Sequence, residues 1–460
     1  MSNRIYLGVF DRFGIRGDWA HSKSESLRYR DIDYWIEKAK LLDEAGFDFV
    51  FLADVLGYGT DEDGRISRSG VAGGGSVPRM DALAVIPVMA AVTDRLGFIS
   101  TMTTGLEHPA KFARTLTSFD HITGGRLAWN MVTGAAQDSV AQLYGHGSTI
   151  PHDERYERAS EFLEVAMKYW EGCWEDDAVL EDRVNRVFAD RDKLHRIEHN
   201  GRFYESSGYL TGDPSPQRTP ALVQAGNSEA GMDFAARYAE AVFVQGHIPN
   251  SIHAIQERAV AFGRHPGDIK FFSDIRVFTG ASAEEAAEDL SGWTSRRTPE
   301  QTAAGFRTLT GIDLLKLDPK LPLTQLPPEK LRVETGQSSV DRCIALPGEP
   351  EITVEEILRT YMAPSGSTIT GTGEEVADRI IEYVDENNLD GVMIDLVYDL
   401  HTCRTFIENV LPALEARGRR VEPQGTTFRS RLMGYGDRLP DRHVAGAFRP
   451  KSEASASPIA

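Results

Sequence analysis

Short apolar runs alternate with stretches of helical periodicity along most of the chain. Residues 4–10 (RIYLGVF) and 48–53 (DFVFLA) are apolar on both faces, as parallel strands covered by helices must be. Between them Ile32, Trp35, Ile36, Ala39 and Leu42 recur at helical spacing, predicting a helix over residues 31–45 that Gly46 stops. The same reading places strands at residues 97–102, 127–133, 221–226, 241–245, 270–277 and 391–395. It places helices at residues 109–119, 154–171, 228–239, 374–384 and 402–416. Pro109 suits a first helical turn, and Phe112, Leu116 and Phe119 form one face of the helix it opens. Eight strand–helix alternations predict a closed (β/α)8 barrel of the TIM type; an open doubly wound sheet has a similar rhythm.

Three stretches interrupt that rhythm. Residues 55–78 are polar and glycine-rich (GYGTDEDG, VAGGGSV), residues 176–220 are charged with short β-like pieces, and residues 292–350 carry many prolines and little periodicity. Loops this long inside a compact domain are usually functional or disordered, and insertions that follow barrel strands stand over the catalytic face. The expected organisation is therefore one barrel over residues 1–418 with three insertions, followed by an extension over residues 419–460. That extension is basic, with eight Lys/Arg against four Asp/Glu, and its last ten residues have the composition of a disordered tail.

Composition narrows the function more than the fold. A net charge of −19 argues against a nucleic-acid partner, because phosphate backbones attract basic surfaces. No apolar run is long enough to span a bilayer, and the first residues lead straight into a strand without a leader pattern. Three widely separated cysteines (Cys173, Cys343, Cys403) argue against a disulfide framework or a thiolate metal site and fit a reducing cytoplasm. Gly57-Tyr58-Gly59 lacks the third glycine of a dinucleotide fingerprint. Gly371-x-Gly373 has Val376 where that glycine belongs and reads as a plain helix start. The acidic run Asp61-Glu62-Asp63 reads as solvated, and no metal site is expected.

The order of several short blocks carries more weight than any one of them. GDWAH at 17–21, FLAD at 51–54, MAAVT at 89–93, GGRLAWNMVT at 124–133, HDERY at 152–156, EFL at 161–163, QAGNS at 224–228, GTGE at 371–374 and EPQGT at 422–426 follow one another over nearly the whole chain. In this order the chain resembles the nitrilotriacetate, EDTA and dibenzothiophene-sulfone monooxygenases, a branch of the luciferase-like flavin enzymes. The resemblance implies an oxygenase component that binds FMN at the C-terminal mouth of the barrel and takes it as FMNH2 from a separate NAD(P)H:flavin reductase. It further implies insertion of one atom of O2 into a small organic molecule, and a homo-oligomer.

Carried over residue by residue, the resemblance assigns FMN contacts to Asp54, Thr104, Asn130, Thr133, His152, Arg155, Tyr156 and Ser228. Physical chemistry gives each a role and an alternative. Ser228 stands between a strand and a helix, where a hydroxyl and the following amides can hold a phosphate, or where a serine merely caps the helix. Tyr156 and Arg155 open a long amphipathic helix; a phenol there donates to phosphate or is a core tyrosine. His152, just ahead of that helix, can hydrogen-bond the flavin. Asp54 ends the second strand and Thr104 lies beyond the third, where barrel enzymes place functional groups. Asn130 and Thr133 reach the isoalloxazine edge or are satisfied inside the barrel. His21 is the candidate acid–base, against the alternative of a surface loop. Two other activities use the same fold: a deazaflavin- or NAD(P)H-dependent oxidoreductase of one component, and a flavin-binding protein without turnover.

Overall fold

The computed structural model describes residues 4–15, 19–61, 63–74, 77–134, 137–145, 150–226, 228–246, 248–296, 298–333, 337–341, 343–345, 350–360 and 367–450. Parts of several sequence readings fall outside them: Gly17 and Asp18 of the first block, Glu62 of the acidic run, Asn227, and the last ten residues.

All eight expected strands form. They are β1 (Tyr6–Asp11), β2 (Phe49–Leu52), β3 (Gly97–Thr103), β4 (Leu127–Val132), β5 (Ala221–Gln224), β6 (Ala241–Phe243), β7 (Lys270–Gly280) and, closing the ring, β9 (Gly391–Asp395). Each pairs in parallel with its neighbour; β9 lies between β7 and β1, and β6 pairs with β7. The sheet is therefore a closed barrel rather than an open one. A further strand, β8 (Thr368–Thr372), continues the outer half of β7 from Arg276 to Gly280. The sequence reading missed it because its five residues, TITGT, have no apolar run to stand out.

Register sorts the side chains into two layers, as strand alternation requires. Leu127, Trp129 and Met131 of β4 face outward into the core shared with the helices. Ala128 faces inward, with Tyr6, Phe49, Phe51, Val223, Phe243, Phe272 and Met393 from other strands. The covering helices include α1 (Ile32–Glu44), α2 (Pro109–Ile122), α3 (His152–Met167), α4 (Glu229–Tyr238) and α5 (Ile248–Ala261). Gly46 follows α1 at φ +71°, a conformation that ends a helix cheaply only in glycine.

Two helix expectations need correction. Residues 402–416 form two helices, Leu400–Asn409 and Leu411–Ala416, because Pro412 has no amide for the first and its ring clashes with the preceding turn. His152 lies inside α3 rather than ahead of it, with Pro151 as the N-cap.

The insertions are structured. Residues 55–78 contain a short helix, Arg68–Gly73, that packs against α7 (Pro299–Thr310) of the third insertion. The second insertion holds two antiparallel hairpins. The third, together with the residues just after it, buries its own cluster around Ala303, Phe306, Leu314, Leu323, Val340, Val354 and Ile357. Pattern reading found no period there because the helices are short and repeatedly started at prolines.

The basic extension folds back under its own barrel. Its helix α10 (Phe428–Met433) inserts Phe428 and Leu432 into the inner core. A Cβ at Gly97 would come within 2.4 Å of the Phe428 ring, so the glycine makes room for this plug. Arg429, with no exposed side-chain surface, forks onto Glu240 at 2.7 and 2.9 Å and donates to the carbonyls of Gln217, Thr219 and Asp437. Among the described residues, no helix is long and apolar enough to cross a membrane.

Candidate active site at the barrel mouth

Because the strands run parallel, every C-terminal end opens on one side, and six of the expected residues lie there around β3, β4 and β5. Thr104, just past β3, is tied to β4: its amide donates to the Val132 carbonyl at 2.9 Å and its hydroxyl lies 3.3 Å from the same oxygen. Thr133 follows β4. The Tyr156 phenol approaches from the first turn of α3, and burial raises its pKa, while the hydroxyls of Ser228 and Thr133 converge on it and pull the other way. Ser228 is the N-cap of α4, its Oγ accepting from the Gly231 amide at 3.1 Å. The ring of His152 stands 5.1 Å from that of Tyr156, with Nδ1 2.8 Å from the Asp153 carboxylate. Arg155 is buried on the same turn of α3.

This corner is built for close approach. A Cβ at Gly231 would stand 3.0 Å from both Ser228 Oγ and Tyr156 OH. One at Gly226 would meet the Gln224 amide nitrogen at 2.5 Å and the Tyr156 hydroxyl at 3.2 Å. Glycine at both positions lets the two hydroxyls draw in against the backbone beside the N-terminus of α4, and this corner is the candidate anion recess. Helix N-termini attract anions, since their first amides lack partners and the helix dipole is positive there. The helix-cap reading of Ser228 holds, and the cap also turns its hydroxyl toward the recess.

Asn130 lies one layer below. It is 2% exposed, and its Nδ2 donates to Thr101 Oγ1 at 3.0 Å while its Oδ1 is buried with no partner. The Gln224 Oε1 is likewise buried and unmatched. Buried acceptors are almost always paired, so these two await donors from something bound. Hydroxyl pairs, a helix N-terminus and waiting acceptors suit a ligand with a phosphate at one end and ring or chain N–H and O–H groups along it. The residues present therefore fit FMN.

Asp54 stands next along the mouth, past β2, the neighbour of β3. Its carboxylate accepts from the Val55 amide at 2.7 Å. Burial lifts its pKa above the usual range, against the opposing charge of Arg79 and that amide. His21 belongs to a third cluster. Its ring stacks on Tyr398 at 4.3 Å and 25°, Nδ1 accepts from the Lys23 amide, and burial followed by Arg296 lowers its pKa. Lys23 pairs with Asp289 at 2.5 Å, and Tyr398 donates to the Asp289 carbonyl. The geometry does not join His21 to the hydroxyl recess.

The sequence reading missed a layer of inward polar groups just under the rim. Gln245 donates to Asp274 at 2.7 Å, and Arg276 to Asp395 at 3.1 Å. Part of their signal was present: Gln245 and Asp395 are polar residues in inward register at or just past the C-terminal end of a strand, while Asp274 and Arg276 hold the same register midway along β7.

A parallel (β/α)8 barrel whose mouth gathers hydroxyls beside a helix N-terminus has, in class, the layout of a barrel enzyme. The luciferase-like monooxygenase family model matches residues 7–386, and the chain belongs to that family. It is 36% identical to the long-chain alkane monooxygenase of Geobacillus thermodenitrificans, with 98% of this chain and 99% of that one aligned. It is 35% identical to the dimethyl-sulfide monooxygenase of Hyphomicrobium sulfonivorans, over 98% and 94%. Among solved structures, a riboflavin lyase with modified FMN and riboflavin superposes with a TM-score of 0.89 at 33% identity, covering 97% of this chain and 100% of that one.

Proposed function

We propose that this chain is the oxygenase component of a two-component monooxygenase that uses FMNH2 and inserts one atom of O2 into a small organic substrate. The observation that carries the reading is the close convergence of the Tyr156 and Ser228 hydroxyls beside the N-terminus of α4, in a member of the luciferase-like family. There the Ser228 and Tyr156 hydroxyls and the first amides of α4 hold the phosphate. Asn130 and Gln224 accept hydrogen bonds from the rest of the cofactor. Reduced FMN supplies the electrons that activate O2, and an NAD(P)H:flavin reductase supplies the reduced FMN. The helix Arg68–Gly73 and α7, packed together, act as a cover that keeps water from the reacting centre. The working unit is a cytoplasmic homo-oligomer.

Anaerobic titration with FMNH2 tests the first step, and absence of saturable binding ends the flavin reading. Substrate-dependent O2 uptake with FMN, NADH and a generic flavin reductase tests the second, across alkanes, organosulfur compounds, aminopolycarboxylates and haloaromatics. Turnover without any reductase would point instead to a single-component oxidoreductase. The close superposition on the riboflavin lyase favours a second reading of the substrate, a flavin-like heteroaromatic, so riboflavin belongs in the same panel.

A further inference from the structure

Several buried arginines among the described residues spend their guanidinium nitrogens on protein acceptors. The Arg126 guanidinium donates to the carbonyls of Thr123, Leu96 and Ala90 and to the Thr93 hydroxyl, and Arg429 uses its whole fork. Arg79, half-buried, differs from them. Its Nε is buried with no partner, as are those of Arg264, Arg419 and Arg438, but their other guanidinium nitrogens donate to protein acceptors, whereas among the described residues the side chain of Arg79 makes no hydrogen bond and no ion pair within 4 Å.

Its position is fixed by the backbone. Arg79 bridges Gly14, just beyond the C-terminal end of β1, and the next amide, Met80, donates to the Phe13 carbonyl at 2.7 Å. A Cβ at Gly14 would lie 2.6 Å from the Pro78 carbonyl oxygen, so the two segments are pressed together at the rim. The only charge that acts on Arg79 is Asp54. Burial pulls the guanidinium pKa below its ordinary range, and Asp54 opposes that without pairing. A half-buried cation at the mouth with one buried donor unmatched ties together no element of the described fold through its side chain. Such a group is costly to keep unless something bound completes it.

We propose that Arg79 is an anion-recognising residue of the mouth, completed by a delocalised negative charge on the bound ligand. A guanidinium offers planar, paired donors that suit a carboxylate or another planar anion. Two sources share that chemistry: the anionic ring of reduced flavin, and an acidic group on the substrate. The first source rests on the flavin reading above; the second does not.

The test uses the full chain as wild type, Arg79→Met and Arg79→Lys, with circular dichroism and thermal melts to establish folding. Each is titrated anaerobically with FMNH2, then with oxidised FMN, and separately with benzoate and its neutral analogue benzamide. Recognition of the reduced ring predicts that Arg79→Met loses about tenfold in FMNH2 affinity with oxidised FMN little changed. Recognition of an acidic substrate predicts the same loss for benzoate with benzamide unchanged. Arg79→Lys recovers part of either loss. Equal weakening of charged and neutral ligands, or no change in any, overturns the proposal. So does a wild type that favours neither anion over its neutral counterpart. Should the wild type bind flavin in neither state, the proposed function falls, while the benzoate arm still judges Arg79.

Discussion

Ser228 shows how one side chain can answer to two demands. Its hydroxyl caps α4 and also borders the recess, so Ser228→Ala loses both roles, whereas Ser228→Gly keeps most of the helix-starting preference and loses only the oxygen. Tyr156→Phe removes a hydroxyl without touching a cap. We expect Tyr156→Phe and Ser228→Gly each to weaken FMN binding by about 1–2 kcal/mol with melting temperatures little changed. Fluorescence titration of FMN reads the affinity, and unchanged binding in both variants would make these residues structural. The cap at Ser228 was legible in sequence because a strand, a glycine and a serine preceded a helical run. Arg79 was not, because nothing in its neighbours reveals that a distant turn buries it. A second residue responds to pH. His443 is fully buried beneath the barrel; its Nε2 donates to the Tyr238 carbonyl, and Nδ1 accepts from the Ala445 amide. Protonation would break the second bond, and burial, then Arg264, lowers its pKa from 6.5 to about 4. The unfolded chain thus takes up a proton before the folded one does. The contribution is complete above pH 6.5 and is lost as pH falls toward 4, amounting to about 3 kcal/mol. Urea unfolding of His443→Asn across that window should show a flatter acid limb than the wild type.

At the scale of elements, the strands were the readable part. Each is buried on both faces, so it is spelled as a continuous apolar run between turn residues. The third insertion was not readable: its helices are short, several begin at a proline, and their apolar residues meet one another rather than a long common face. The extension is the most instructive case, since it is basic and yet its helix α10 reaches into the inner core. Phe428 is 2% exposed and packs edge-on against Phe49 at 6.1 Å. Phe428→Ala should cost about 3–5 kcal/mol, read as a lower urea midpoint, because the cavity opens into a rigid ring of strands that relaxes little. A loss under 1 kcal/mol would mean that α10 rests on the barrel without completing it.

For the molecule as a whole, the charge argument for association changes. A basic tail complements an acidic body, and from charge alone it can dock equally on a neighbouring subunit or on its own barrel. Arg429, Arg438, Arg442 and Arg449 are instead paired within the same chain, with Glu240, Glu171 and Asp176, Asp268, and Glu171 and Asp441. Homo-oligomer formation then has to come from other surfaces. We still expect it from the family resemblance, and a monomer by light scattering at micromolar concentration would remove it. The plug also sets an order of events in the cell. Every strand of the barrel is synthesised before α10, so a nascent chain can close its ring while the aromatic floor stays open to solvent below. Until Phe428 and Arg429 emerge, that opening exposes Phe49 and Phe272 and leaves the Glu240 carboxylate without its partner. A ribosome stalled shortly after β9 would therefore hold a ring ready for chaperones to grip, and release of the final segment is what turns that intermediate into an enzyme.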